Sequence, residues 1–415
     1  MKKRIFFLTS VLAMLMLTVA CGNANEEEVS TNSKEETKSA GTQENKKDSG
    51  ESKKEETTEE PSSSSDIMNP NIAEASDGDV EEIFTNEDPG YVHDMDGFIV
   101  SVNEYQIVKV TDMQAGMYEF DDKTEGYVIT TEVTINNTRN KAIYYPIVLN
   151  IQLSNKFDYL HGGRTFVRDE YPVSETEEES TKFGAGEKVT GLVSFVLTTE
   201  EYEKIKEVKP KFVIEGRASE NKDFSGAYSG NAIFDFAYST EQKKEAKAES
   251  NKFYQDDLMT ENIAEKKMLY EKEGINETKQ LEDLSVTLNG LQYTEVIPTA
   301  ESESKFSNFK DGGVVALTVK LTLENTSKDP IDIWSFGSKV KIDDDRGNAF
   351  TAASLEPESV PMEIEAGETK EKLHVFLFRK DEFETMKTFD LEFGDLMAKE
   401  EQLFKRKTIN FSLPR

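Results

Sequence analysis

Cysteine is almost missing from this 415-residue chain: it has one, Cys21, alongside one tryptophan and three histidines. A lone thiol excludes an intramolecular disulfide and any cysteine-based zinc cluster or dyad. Positive charge is also short, with 49 Lys and Arg against 81 Asp and Glu and a formal net charge of −32. Nucleic-acid binding needs a basic surface that releases counterions, and anionic lipid repels an acidic one, so neither is an expected partner of the folded surface. Serine chemistry lacks its usual frames. There is no G-x-S-x-G, and the two S-x-x-K matches, Ser302/Lys305 and Ser307/Lys310, are followed by neither S-D-N nor K-T-G.

The chain has one long apolar run, at its start. MKKRIFFLTSVLAMLMLTVAC opens with Lys2, Lys3 and Arg4, continues apolar from Ile5 to Leu17, and closes on small residues before Cys21. That is the layout of a secretory signal, too short for a comfortable membrane span. Small residues ahead of the cysteine resemble the lipobox of bacterial lipoproteins, with Thr18 where Leu is usual and Leu17 one place back. The resemblance implies cleavage after Ala20 and a diacylglyceryl group on the Cys21 thiol, an anchor of two acyl chains. Residues 21–66 are rich in Glu, Lys, Ser and Thr with almost no large apolar side chain. They cannot bury enough surface to offset ordering entropy and read as a disordered acidic tether. Residues 67–90 hold a few apolar positions and read as a partly ordered lead-in.

Beyond the tether the chain repeats itself. GYVITTEVTINNT (126–138) returns as GVVALTVKLTLENT (313–326), each alternating apolar and polar residues and each ending Asn-Thr. Period two with one apolar face marks a strand over a core. GFIVSVNEYQI (97–107) matches LSVTLNGLQY (284–293), with Asn103 opposite Asn289. FGAGEKVTGLVSFVLTTEEYEKIK (183–206) matches IEAGETKEKLHVFLFRKDEFETMK (364–387), pairing Phe195 with Phe376 and Tyr202 with Phe383. Shared order and spacing identify a duplication. Seven or eight short strands per copy, separated by turn signals, predict two tandem antiparallel immunoglobulin-like β-sandwiches, over 91–239 and 281–415. TTEEYEKIK and RKDEFETMK predict a short helix between late strands. Residues 240–280 are expected to form a helical linker, with Thr260 capping a helix that Gly274 ends. The lipobox, acidic spacer and V-x-V-x-[IL]-x-N-x-[TS] strands resemble uncharacterised lipoproteins of low-GC Gram-positive bacteria with immunoglobulin-like domains of unknown function. The resemblance implies an extracytoplasmic place and no catalytic residues.

Candidate sites are few. His374 in KLHVFLF is read as facing solvent from a strand, and His161 in YLHGGR as sitting in a turn. Asp343, Asp344 and Asp345 form a run of hard oxygen donors suited to Ca²⁺, although glycine falls at the wrong place for an EF-hand, and a hairpin turn is the stronger reading. Tyr144, Tyr145 and Trp334 follow the long repeated strand where the copies differ most; packing is the stronger reading, a recognition patch the other. No cofactor is implied. The expected role is a membrane-anchored, non-catalytic binding module for an envelope protein or wall polymer, with a solute- or ion-binding lipoprotein as the alternative. Replacing Cys21 by Ala is expected to abolish incorporation of labelled fatty acid and to move the protein from the membrane pellet to the soluble fraction; unchanged pelleting and labelling would refute the anchor.

Overall fold

Both copies fold as the alternation predicts, and each begins earlier than expected. A computed structural model describes residues 67–415 apart from 310–311, 334–335, 345, 359–361 and 396–406. The expected signal segment with Ala20 and Cys21 and the expected tether therefore lie outside the described residues, as do Trp334 and Asp345. The first repeat runs through α1 (Asn71–Ser76), β1 (Asp79–Asn86), β2 (Tyr91–Met95), β3 (Phe98–Thr111), β4 (Gly126–Asn137), β5 (Ile143–Tyr144), β6 (Leu149–Gln152), β7 (Tyr159–His161), β8 (Lys182–Phe183) and β9 (Lys188–Leu197). It ends with α2 (Thr199–Glu207), β10 (Lys211–Ile214) and β11 (Ala232–Asp235), and α3 (Thr240–Ser250) and α4 (Asp257–Thr260) follow. The second repeat comprises β12 (Ala264–Lys272), β13 (Glu277–Leu281), β14 (Leu284–Pro298), β15 (Val314–Asn325), β16 (Ile331–Asp332), β17 (Phe336–Ile342), β18 (Gly347–Phe350), β19 (Glu363–Ile364), β20 (Thr369–Arg379), α5 (Lys380–Phe383), β21 (Phe389–Asp395) and β22 (Thr408–Leu413).

The two repeats share one topology. A sheet in the order β1-β3-β4-β9, with β2 also on β3, faces a sheet in the order β11-β10-β6-β7. Its counterpart is β12-β14-β15-β20, with β13 on β14, facing β18-β17-β21-β22. Every strand pair is antiparallel. With β3, β4, β6, β7, β9, β10 and β11 as A, B, C, C′, E, F and G, the order A-B-E against C′-C-F-G is the immunoglobulin arrangement. Inward residues of the two sheets build one core per repeat: Val133, Ile135, Phe195 and Phe212 in the first, Leu317, Val319, Phe376 and Phe393 in the second. A smaller cluster covers the outer face of each larger sheet, around Ile72, Val110 and Phe120 in one and Leu258, Val296 and Phe306 in the other. One end of each long strand is thus buried on both faces.

Two expectations are corrected. The lead-in 67–90 is an integral part of the first sandwich, because β1 pairs along β3 from Asp79–Thr111 to Asn86–Tyr105. The helix expected from Thr260 to Gly274 is instead the four-residue α4 followed by β12, which pairs along β14 from Ala264–Pro298 to Lys272–Leu291. Ala, Glu, Lys, Met and Leu favour a helix locally, but the open edge of β14 offers a ladder of partners and wins. The alternation was masked by a bulge at Leu269, equivalent to the bulge at Ile83 on β1, and by a charged inward residue, Lys266. Over 240–250 the linker is helical, as α3. Helix α2 forms as predicted, closed by a capping box between Thr198 and Glu201, with Tyr202 and Ile205 buried.

The repeated Asn-Thr is a clamp. The Asn137 amide donates to the carbonyls of Lys141, Phe183 and Gly184 at 2.9, 3.1 and 2.8 Å. Asn325 donates to those of Asp329 and Ile364, both at 2.8 Å. The following hydroxyls, Thr138 and Thr326, donate to Gly97 and Asp283 in the tight turns β2–β3 and β13–β14, at 2.7 and 2.8 Å. The repeated Asn103 and Asn289 sit at bulges in β3 and β14 and bond across to β4 and β15. Asn137→Ala removes the donor shared by three carbonyls, two of them buried, and is expected to destabilise the protein by about 2–3 kcal/mol in urea unfolding. Asn325→Ala should do the same to the second repeat, whereas a loss under about 0.5 kcal/mol, the size of an ordinary surface change, would refute the clamp.

Candidate functional site

The residues singled out in the sequence do not converge. Asp343 and Asp344 sit with left-handed backbone in the β17–β18 turn, as the hairpin reading requires. The Asp343 carboxylate accepts from the main-chain N–H of Lys387 and Thr388 at 2.7 and 2.9 Å and from Arg346 at 3.2 Å. Those donors hold it below the usual carboxylate range and tie the turn to the α5–β21 loop. Among the described residues no group of three or more His, Cys, Asp or Glu is placed to hold a metal ion. Tyr145 is fully buried, its ring 5.3 Å from Phe98 and its hydroxyl donating to the Glu215 carbonyl. Tyr144 is half-buried and its main chain pairs with Lys182 and Ser219.

The histidines are structural in their surroundings. His374 is 1% exposed, which overturns its expected outward face. Phe376 and Phe378, two and four residues on, line the inter-sheet core, so His374 points inward with them, while Val375 enters the outer cluster. Its Nδ1 lies 2.9 Å from Glu356 Oε1 and its ring meets Phe393 edge-on, while Nε2 has no partner. Burial raises the Glu356 pKa, but His374 and Lys372 outweigh it and the carboxyl is held below its ordinary value. The pair fastens the 353–356 turn to β20, with the histidine buried and the carboxylate half-buried. In the first repeat Val193 takes the place of His374. His93 is buried against the Gly230 carbonyl at 2.8 Å, and burial pulls its pKa down. His161 is exposed and lies in β7, not in a turn; the turn is at 153–158. Gly162 follows His161 because a Cβ there would meet Val193 at 2.9 Å and the Leu149 carbonyl at 3.0 Å.

What sequence reasoning missed lies where the repeats meet. Asp256 and Lys266 form an ion pair with both side chains fully buried, and the Thr318 hydroxyl donates to Asp256 Oδ2 at 2.7 Å. Burial pulls the Lys266 pKa down against the pull of Asp256. In the first repeat the corresponding positions are Pro70, Val80 and Thr130, apart from the threonine an apolar set. This pair locks the segment before β12 onto the second repeat. The next residues reach the first repeat. Asn262, in left-handed backbone, donates to the carbonyls of Leu153 and Lys209 at 3.0 and 2.6 Å. Lys156 pairs with Glu261 at 3.2 Å and Asn155 donates to Glu301 at 2.9 Å. Lys209 bridges Glu249 of α3 and Glu265 of β12, at 2.9 and 3.7 Å.

A cleft of about 530 Å³ opens beside these contacts, lined from both repeats and α3 by Val208, Tyr238, Gln242, Glu245, Ala264 and Thr299 among others. On α4, Asp257 has its pKa pushed up to about 7, by burial first and then by Glu261 and Asp256. A mixed polar and apolar lining and a place between domains are attributes of a ligand cleft. The buried pair yields a test. Lys266→Met alone leaves the Asp256 charge uncompensated and should cost about 3–5 kcal/mol. Adding Asp256→Leu should recover most of that in urea unfolding; a double variant as unstable as the sum of the singles would refute the assignment.

Comparison with known proteins agrees with the duplication. Residues 55–239 and 241–408 each match the family described as Domain of unknown function (DUF5068). Among solved structures, a functionally unknown protein from Listeria monocytogenes EGD-e is 17% identical, with a TM-score of 0.35 over 40% of this chain and 91% of that one. An uncharacterised β-sandwich protein from Clostridium difficile 630 is 12% identical, with a TM-score of 0.23 over 36% of this chain and 100% of that one. The yjhA protein from Bacillus subtilis is 16% identical, with a TM-score of 0.25 over 37% of this chain and 100% of that one. No curated protein matches the sequence. Two consecutive matches spanning most of the chain, on two sandwiches of one topology, place the chain in the DUF5068 family.

Proposed function

We propose that this is a lipoprotein of a low-GC Gram-positive bacterium, held on the outer face of the cell membrane through Cys21. There it presents its sandwiches as a non-catalytic interaction module for an envelope protein or wall polymer. The signal-like start and the acidic spacer support the location. The observation that carries the interaction reading is a large apolar side chain held out in water: Phe157, at the tip of the β6–β7 hairpin, is 85% exposed. That tip is pinned, since the Phe157 N–H donates to the Asn155 side chain and the Asp158 N–H to the Asn155 carbonyl, at 2.9 and 3.0 Å. A fixed, exposed phenylalanine is a natural anchor for a partner's pocket.

At the β9 and β20 edges loops fit this role better than an added strand. The middle of β9 is already paired with Gly163, and the Val375 N–H and carbonyl of β20 engage Glu356 and Ala352. A partner strand would find both edges occupied there. The test is crosslinking on intact cells, comparing the native chain with Phe157→Ala and Cys21→Ala. One abundant protein or wall fragment, captured by the native chain and several-fold less by either variant, supports the reading. Equal capture by all three, or turnover of a wall substrate abolished by one substitution, would overturn it. The inter-repeat cleft favours a second reading, a solute- or ion-binding lipoprotein. That reading requires one small ligand or ion to raise the melting temperature of the full chain in a saturable manner.

A further inference from the structure

The Asp256–Lys266 pair is shut off from solvent, with both side chains 0% exposed. In the Lys211–Asp235 pair, by contrast, the carboxylate side chain is 25% exposed and water competes for the contact. Asp256 stands at the N-cap of α4 yet makes no capping bond there; its carboxylate is turned to the lysine instead. One oxygen is fully engaged: Oδ2 accepts from the Lys266 ammonium and, at 2.7 Å, from the Thr318 hydroxyl. The other, Oδ1, is buried and has no partner. A carboxylate oxygen that has lost water and gained no donor is destabilising where it stands.

We propose that this ion pair is the precursor of a covalent bond: Lys266 Nζ and Asp256 Cγ condense to an amide, cross-linking the segment before β12 to β12 itself. Within the pair one ammonium proton passes to the carboxylate, leaving an amine with a lone pair beside a carboxylic acid. Burial favours that uncharged lysine, pulling its pKa down against the pull of Asp256. The amine attacks Cγ and the Nζ–Cγ bond forms. The Cγ–Oδ1 bond then breaks, and Oδ1 leaves as water with the proton it received and a second one shed by the nitrogen. Ammonium and carboxylate thus give one amide and one water, with no oxidant, metal or co-reactant. Throughout, the Thr318 hydroxyl donates to Oδ2, where charge builds up as the carbon is attacked.

The product satisfies the site better than the pair does. The retained Oδ2 keeps the Thr318 hydroxyl, the amide N–H has the Tyr254 carbonyl as its acceptor, 3.4 Å from Nζ, and the partnerless oxygen is gone. Two buried charges become one neutral, hydrogen-bonded group. Fixed contact supplies the proximity that amine and acid lack in water, and a closed site keeps water from reversing the step. The cross-link closes a loop over residues 256–266, which carries the Glu261 and Asn262 contacts to the first repeat. A chain whose single cysteine can form no internal disulfide gains a covalent tie that reducing agents do not open.

The test is mass analysis of a tryptic digest of the folded full chain. Trypsin cuts after free lysines, so an uncondensed chain yields the peptide 253–266 at the mass of its sequence. The condensed chain resists cleavage after Lys266 and is expected to yield 253–267, lighter by one water, with no backbone fragments released between Asp256 and Lys266. Lys266→Arg and Asp256→Ala should each restore the full mass, and Thr318→Val should lower the condensed fraction several-fold. Only the full-mass 253–266 from the native chain, a result that depends on no variant folding, would overturn the proposal. So would a loss of water that persists in Lys266→Arg, the mark of an aspartyl succinimide at Asp256 or Asp257.

Discussion

A single asparagine at the end of each B strand, Asn137 or Asn325, organises the sandwich around it. The B strand is the place where the chain leaves one sheet for the other, and such a crossing exposes carbonyls that no ladder can satisfy. The Asn amide gathers those carbonyls, and its oxygen accepts the N–H two residues on, from Arg139 or Ser327. The adjacent threonine stitches the preceding hairpin turn to the same point. Strand A, strand B and the loop before strand E are thereby fixed at one corner, and the register of the remaining strands follows from the ladders that start there.

On this common frame the copies have diverged in their interiors and at their margins. The first repeat closes its core with stacked rings, Tyr91 on Phe234 at 4.8 Å and Tyr105 on Phe236 at 4.9 Å. The second carries charge where the first is apolar: Lys266 and Asp256 replace Val80 and Pro70, and His374 with Glu356 replaces Val193. A buried ion pair adds little net stability because desolvation offsets attraction, but it tolerates only one geometry. Its effect here is positional. It holds the short α4 where Glu261 and Asn262 meet the first repeat, so the relation of the repeats depends on a charge hidden inside one of them.

Much of this was legible in the sequence. The strand class, the short helix α2 and the Asn-Thr strand ends read correctly because each rests on neighbours two to four residues apart, and the duplication because the same short patterns return in the same order. Asn103 and Asn289 announced themselves by matching, although their role as bulge residues did not. The misreadings share a cause. In KLHVFLF the apolar Leu373 and Val375 beside His374 suggest an outward histidine, but β20 is covered on both faces, and alternation cannot say which apolar face is the core. Residues 264–272 read as helical because their partners lie 19 to 34 residues further along, and one inward position is a lysine.

The sequence by itself determined a duplicated, mainly β protein, the strand periods, the corner asparagines and the acidic, cysteine-poor character of the chain. These are properties of composition and of short-range order, where the chemistry of a residue and its near neighbours suffices. Only the tertiary structure decided that β1 and β12 complete the sheets, that His374 faces the core, that Asp256 is buried on Lys266, and that Glu261 and Asn262 meet Lys156 and Lys209. Edge pairing, burial on two faces and a perturbed carboxyl are relations between segments far apart in the chain. Their free energy comes from excluding water between those segments, and no local pattern contains it.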